Sequence, residues 1–118
     1  MRHLKKTKKF KRTEEERRRL WTDLCSALIK SEKIVTFTAR AKWFRPKFER
    51  MVTWCKTAGD DTQLAFRRLR PYLSEADSRK MVEVIVPKLK DRVGGYTSLL
   101  KLDTEFSTHD KSIVMIVE

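Results

Sequence analysis

From Leu20 onward, apolar positions recur with the period of a helix. Leu20, Leu24 and Leu28 form one i, i+4 row, and Trp21, Cys25 and Ile29 form the row beside it. Together they make a single apolar face. Just upstream, Thr13-x-x-Glu16 has the residues of a capping box, and Glu14, Glu15 and Glu16 suit the positive end of a helix dipole. The pattern predicts a helix over 13–31. Residues 33–37 are β-branched and aromatic around Ile34, Val35 and Phe37, and predict a short strand. Thr38 is placed to cap a second helix with apolar positions Ala41, Phe44, Phe48, Met51, Val52 and Cys55. Pro46 interrupts this pattern and removes a backbone donor, which predicts a kink, or a break with a fresh start.

Gly59, Asp60 and Asp61 predict a turn and a cap. A short helix over 61–70 follows, with Leu64, Ala65 and Leu69 inward, Arg67, Arg68 and Arg70 largely outward, and Pro71 as its stop. Ser74 caps a further helix over 75–86, with Ala76, Met81, Val82 and Ile85 buried and Pro87 stopping it or bending its last turn. The break at Arg92-Val93-Gly94-Gly95 leads to a strand over 96–102, and 103–110 is a polar connection. Residues 112–117 are an almost continuous apolar run, which suits a strand covered on both faces or lying in the middle of a sheet. The last two strands are close enough for an antiparallel hairpin. The strand near 35 joins them, because a lone hairpin is marginal in water. The fold so predicted is α+β. About four helices pack on one face of a small three-stranded sheet, with 13–118 as one compact domain and 1–12 as an extended N-terminal arm.

Charge changes the picture. The 118 residues carry 28 Lys+Arg against 16 Asp+Glu, a net +12, which implies a polyanionic partner: nucleic acid ahead of an acidic membrane surface. The hydrophobic fraction of 40% supports one modest core. No run approaches the ~20 apolar residues of a membrane helix, and no secretory signal is evident. Arg2, Lys5, Lys6, Lys8, Lys9, Lys11 and Arg12 share the arm with no acid among them. Such a segment cannot bury enough surface to offset its ordering entropy, so it is expected to be disordered alone and to meet phosphate when bound. A solubilising role is the plainer alternative. Arg17, Arg18 and Arg19 extend the charge onto the folded body, whereas 102–118 is net negative and is not expected to form the binding face. On the second helix, Trp43, Lys47, Arg50 and Trp54 make another row. Its indoles either stack on unpaired bases or pack against a neighbouring helix while the cations stay solvated.

Chemistry adds little. Cys25 and Cys55 each fall in an apolar row and read as buried thiols, while His3 and His109 lie in the arm and the final loop. No metal-ligand spacing, Cys-x-x-Cys pair, phosphate loop, dinucleotide fingerprint or nucleophile elbow is present. An enzyme is not expected, nor a metal. Gly94-Gly95, between Arg92 and Tyr96, either admits a sugar–phosphate backbone or is a plain turn.

Four segments nevertheless resemble a known family. They are Met1-Arg2-His3 followed by basic residues, Ser26-Ala27-Leu28-Ile29-Lys30-x-Glu32-Lys33-Ile34, Ala41-Lys42-x-x-Arg45-Pro46, and Arg92-x-Gly94-Gly95-Tyr96-Thr97. Their order resembles that of the bacterial large-subunit ribosomal protein seventeen family, over essentially the whole chain. The resemblance implies a compact α+β fold, binding to 23S-type ribosomal RNA near the outer side of the exit tunnel, and neighbouring ribosomal proteins as partners. It implies no cofactor, membrane or small-molecule substrate, and a place on the ribosome in a bacterial cytoplasm or an organelle. By position, Arg2, His3 and the lysines after them match the family's RNA-entering N-terminus, Lys42 and Arg45 its second helix, and Arg92, Gly94, Gly95 and Tyr96 its glycine turn. Ser31, Phe37 and Ser98 depart from the family's usual His, Thr and Arg, and the acidic final loop departs from a basic one, so no RNA contact is expected from 98–110. A free DNA- or RNA-binding regulator is the alternative that the charge allows.

Overall fold

The computed structural model describes residues 9–102 and 110–117. Helix α1 spans Glu14–Ser31, and its N-cap Thr13 accepts the Glu16 N–H at 3.3 Å. Strand β1 (Lys33–Phe37) runs directly into α2 (Thr38–Thr57). Helix α2 buries Ala41, Phe44, Phe48, Met51, Val52 and Cys55, the whole of the expected face. It passes through Pro46 without the break considered above. Pro46 is exposed while Phe44 and Phe48 are fully buried on either side, so packing carries the helix across the lost hydrogen bond. Thr38 is not the cap. Phe37 takes that place with no side-chain bond, and the Thr38 hydroxyl instead lies 2.7 Å from Ser112 Oγ.

Helix α3 (Thr62–Leu69) is capped by Asp61, whose carboxylate accepts the Leu64 N–H at 3.1 Å. Then α4 (Glu75–Lys80), a π-turn at Met81–Ile85 and α5 (Val86–Lys88) form one continuous helical run. In the π-turn the Val86 N–H reaches back five residues to the Met81 carbonyl. The extra residue is absorbed just before Pro87, which has no N–H to give, so the run continues past the proline. Ala76, expected inside, is exposed, and Asp77 and Ser78 are buried in its place at 4% exposure each. The cause is polar: the Ser26 hydroxyl on α1 donates to the Asp77 carboxylate, and Ser74 Oγ accepts the Asp77 N–H. A carboxylate with its partners in place is tolerated inside.

Strands β2 (Thr97–Lys101) and β3 (Lys111–Ile116) complete an antiparallel sheet of order β1-β3-β2. The apolar run near the C-terminus is therefore the central strand. Ser112 and Val114 are buried, and helices α1 and α2 pack against this sheet. The core joins Leu28 and Ile29 of α1, Phe44, Phe48 and Met51 of α2, Leu69, Met81, Ile85, Leu89 and Val114. Residues 103–109, most of the polar connection, lie outside the described residues.

Candidate nucleic-acid interface

The glycine turn lies between α5 and β2. Gly95 has φ +62, a conformation that side-chain-bearing residues rarely hold. Arg92, Gly94 and Gly95 are exposed, but Tyr96 is only 3% exposed, and its hydroxyl donates to the Val93 carbonyl at 3.2 Å. Lys56 of α2 sits 4.9 Å from the Tyr96 ring centroid and donates to the Leu89 carbonyl at 3.1 Å and to the Arg92 carbonyl. The next residue, Thr97, gives its N–H and hydroxyl to Glu49 and accepts Arg45 Nε at 3.0 Å. Of the expected group, Arg92, Gly94 and Gly95 thus stand at the surface. Tyr96 is a core residue that pins the turn, and Arg45 is taken up in holding β2. Lys56 and Glu49 carry no motif that would have marked them. Their partners lie at least 33 residues away in sequence, out of reach of any local pattern.

At the other end, Arg2, His3, Lys5, Lys6 and Lys8 lie outside the described residues. The root of the arm is a tight turn, not an extended segment. Its Arg12 N–H bonds the Lys9 carbonyl at 3.0 Å, with Phe10 and Lys11 at φ 52 and 54. Left-handed angles at both central residues fit a type I′ turn. The Phe10 ring meets Trp43 edge-on at 5.1 Å, and Arg17 donates to the Arg12 carbonyl. Lys9, Lys11, Arg18 and Lys42 are exposed, while Arg12 and Arg17 are half-buried.

The tryptophans of α2 are half-buried, and they pack. Trp54 lies 5.6 Å from Tyr72, which lies 5.2 Å from Trp21 of α1. Lys47 is held between Trp43 and Trp21, at 5.4 and 5.8 Å from their ring centroids. Arg18 covers Tyr72 at 5.0 Å and donates to the Pro71 carbonyl. Arg68, expected to point outward, turns back to the Trp54 carbonyl at 2.8 Å. Lys47 is thus seated on rings, while Arg50 of the same row is exposed.

Burial pushes the Cys25 thiol up to about 12 and the Cys55 thiol up to about 11, so both are protonated at neutral pH. Among the described residues, no group of three or more His, Cys, Asp or Glu is placed to hold a metal ion. No described helix is long and apolar enough to cross a membrane.

A family model described as Ribosomal protein L17 matches residues 20–118. Fold, charge and this match place the chain in the class of small basic ribosomal proteins. More narrowly, it is similar to proteins named large ribosomal subunit protein bL17. It is 37% identical to that of Rhodopseudomonas palustris (strain BisB5), over 100% of this chain and 84% of the relative. It is 36% identical to that of Sphingopyxis alaskensis, over 100% and 82%. It is 39% identical to that of Persephonella marina, over 98% and 93%. The chain belongs to the ribosomal protein L17 family.

Proposed function

We propose that this protein is a non-catalytic structural constituent of the large ribosomal subunit. It binds large-subunit ribosomal RNA and supports subunit assembly at the exit-tunnel side, beside other ribosomal proteins, on ribosomes of a bacterial cytoplasm. The family match over 20–118 carries this reading, and the net charge of +12 supports it. The mechanism is charge neutralisation combined with shape. Residues 1–12 act as an arm and 13–118 as one body. Arg2, His3, Lys5, Lys6, Lys8, Lys9, Lys11 and Arg12 of the arm, Arg17 and Arg18 of α1, and Lys42 of α2 meet phosphates. Arg92, Gly94 and Gly95 admit the RNA backbone, with Tyr96 and Arg45 holding that turn in shape. Phosphate contacts position a protein but carry little sequence information, so selectivity comes from the folded shape of the RNA.

The test is mass spectrometry of large subunits purified through a high-salt cushion. Stoichiometric presence is expected. Recovery only in the soluble fraction would overturn the proposal in favour of a free nucleic-acid-binding regulator.

A further inference from the structure

The sequence reading left the tryptophan row of α2 undecided, and the RNA-binding reading does not use it. The structure puts that row in a larger arrangement. Trp43, Trp21, Tyr72 and Trp54 follow one another across α2, α1 and the segment after α3, each half-buried. Two hollows lie along this line and a third adjoins them. The first is lined by Arg17, Arg18, Trp21, Trp43, Lys47 and Tyr72, together with the acid Glu14. The second shares Tyr72 with it and adds Trp54, Arg67 and Arg68. The third shares Arg67 with the second and adds Arg70 and Arg79, with Glu75 also in its lining. Cations therefore dominate the whole track. One of its two acids, Glu75, is already paired with Arg79 at 3.4 Å.

We infer that this track of rings flanked by cations is the seat of an unpaired RNA strand. Bases lie against the Trp43–Trp21–Tyr72–Trp54 row, and phosphates lie on the arginines beside it. The inference rests on the RNA-binding reading and names a face of the protein for it. Three observations favour an RNA strand over an acidic protein segment. A row of rings is flanked by cations, with Lys47 between Trp43 and Trp21, Arg18 over Tyr72 and Arg68 on the Trp54 carbonyl, as a row of bases is flanked by phosphates, whereas an acidic peptide needs only the cations. Lys47, Arg18 and Arg68 are already fixed on rings or carbonyls, so little side-chain freedom is lost on binding. Phe10 packs on Trp43, so the basic arm is rooted at one end of the same track.

The three tryptophans of the chain are Trp21, Trp43 and Trp54, and all lie on the track. Tryptophan emission, excited selectively, therefore reports on this surface alone. The full chain is titrated with a labelled single-stranded oligouridylate, and anisotropy and tryptophan emission are read together. A blunt RNA duplex and polyglutamate serve as comparison ligands. Emission is expected to change with the same midpoint as the anisotropy, for the single strand and for neither comparison ligand. Arg67→Ala with Arg70→Ala, both at exposed positions, is expected to weaken single-strand binding about tenfold. Lys33→Ala with Lys90→Ala, exposed elsewhere, is expected to weaken it much less. Circular dichroism checks that both variants fold. Binding by anisotropy with silent tryptophans, or equal losses in the two variants, overturns the track but leaves RNA binding standing. An equal emission change with polyglutamate overturns it in favour of an acidic protein partner. No binding to single strand or duplex overturns the RNA-binding reading itself.

Discussion

Arg45 holds Thr97 by two bonds, Nε on the hydroxyl at 3.0 Å and Nη2 on the carbonyl at 3.1 Å. One turn further along α2, Glu49 accepts the N–H and the hydroxyl of the same threonine at 3.2 and 3.0 Å. A single i, i+4 pair on a helix thus grips the first residue of a strand, next to a turn that contains Gly94 and Gly95. Arg45→Ala is expected to lower stability by about 1.5–3 kcal/mol, the range for hydrogen bonds made by a charged group. The salt dependence of RNA binding should stay as it was. Arg45→Lys should recover only part of the loss, because an ammonium lacks the planar fork that reaches two acceptors at once. Thermal unfolding beside a salt titration separates this bracing role from a phosphate contact.

The exchange of Ala76 for Asp77 at the α1–α4 contact gives a paired test. Asp77→Ala removes the acceptor of the Ser26 hydroxyl and is expected to cost about 1–3 kcal/mol. Ala76→Lys, at an exposed position, should stay within about 0.5 kcal/mol. Denaturant midpoints of the two variants check the assignment, and a reversal of their order would put Ala76 inside.

Glu32 pairs with Lys88 at 2.8 Å, and this hydrogen bond lowers the carboxyl pKa below its ordinary 4.5. A carboxyl lowered in the folded state adds stability that is complete above the ordinary value and is lost as pH falls through the folded one. Both side chains are more than a third exposed, so the pair contributes less than about 1 kcal/mol. Glu32→Gln should shrink the gap between neutral and acidic stability by that amount and leave the slope near pH 7 unchanged.

Burial also makes a prediction about the thiols. Cys25 is fully buried and Cys55 is 4% exposed, with their thiols raised to about 12 and about 11. At pH 8 both remain protonated and shielded. A thiol reagent is expected to label neither in the folded protein and both in denaturant. Rapid labelling of the native chain would contradict this packing.

For the arm, the measurable quantity is the slope of log K against log salt. Each phosphate neutralised on a single strand contributes about −0.7, so removing residues 1–12 should flatten the slope by up to about 5 units. An unchanged slope would place the main electrostatic contact on the body.

Much of this molecule was legible from periodicity. The buried face of α2 follows from the spacing of Ala41 through Cys55, and the centre of the sheet follows from the unbroken apolar run at 112–117. Periodicity reports which side of an element faces in. It does not report which polar group will find a partner across the fold. Asp77 is inside because Ser26 meets it from 51 residues away, and Arg68 turns inward because the Trp54 carbonyl is there to receive it. Of the two outcomes expected at Pro46, the break does not occur, because the buried Phe44 and Phe48 hold the helix together across the missing donor. In the candidate site, charge and aromatic content were visible at once. The seating of Lys47 between two rings was not, since one of them belongs to another helix.

The strand order has a consequence in time. Within the sheet, strands β1 and β2 each pair only with β3, the last of the three along the chain. Thr38, just after β1, meets Ser112 across 74 residues. Closing so long a loop is slow compared with winding α1 and α2, whose bonds are local. A chain emerging from its N-terminus therefore carries its helices for most of its synthesis with both edge strands waiting. The sheet then forms as a unit when residues 111–116 arrive, and a chain cut short before them loses all three strands together.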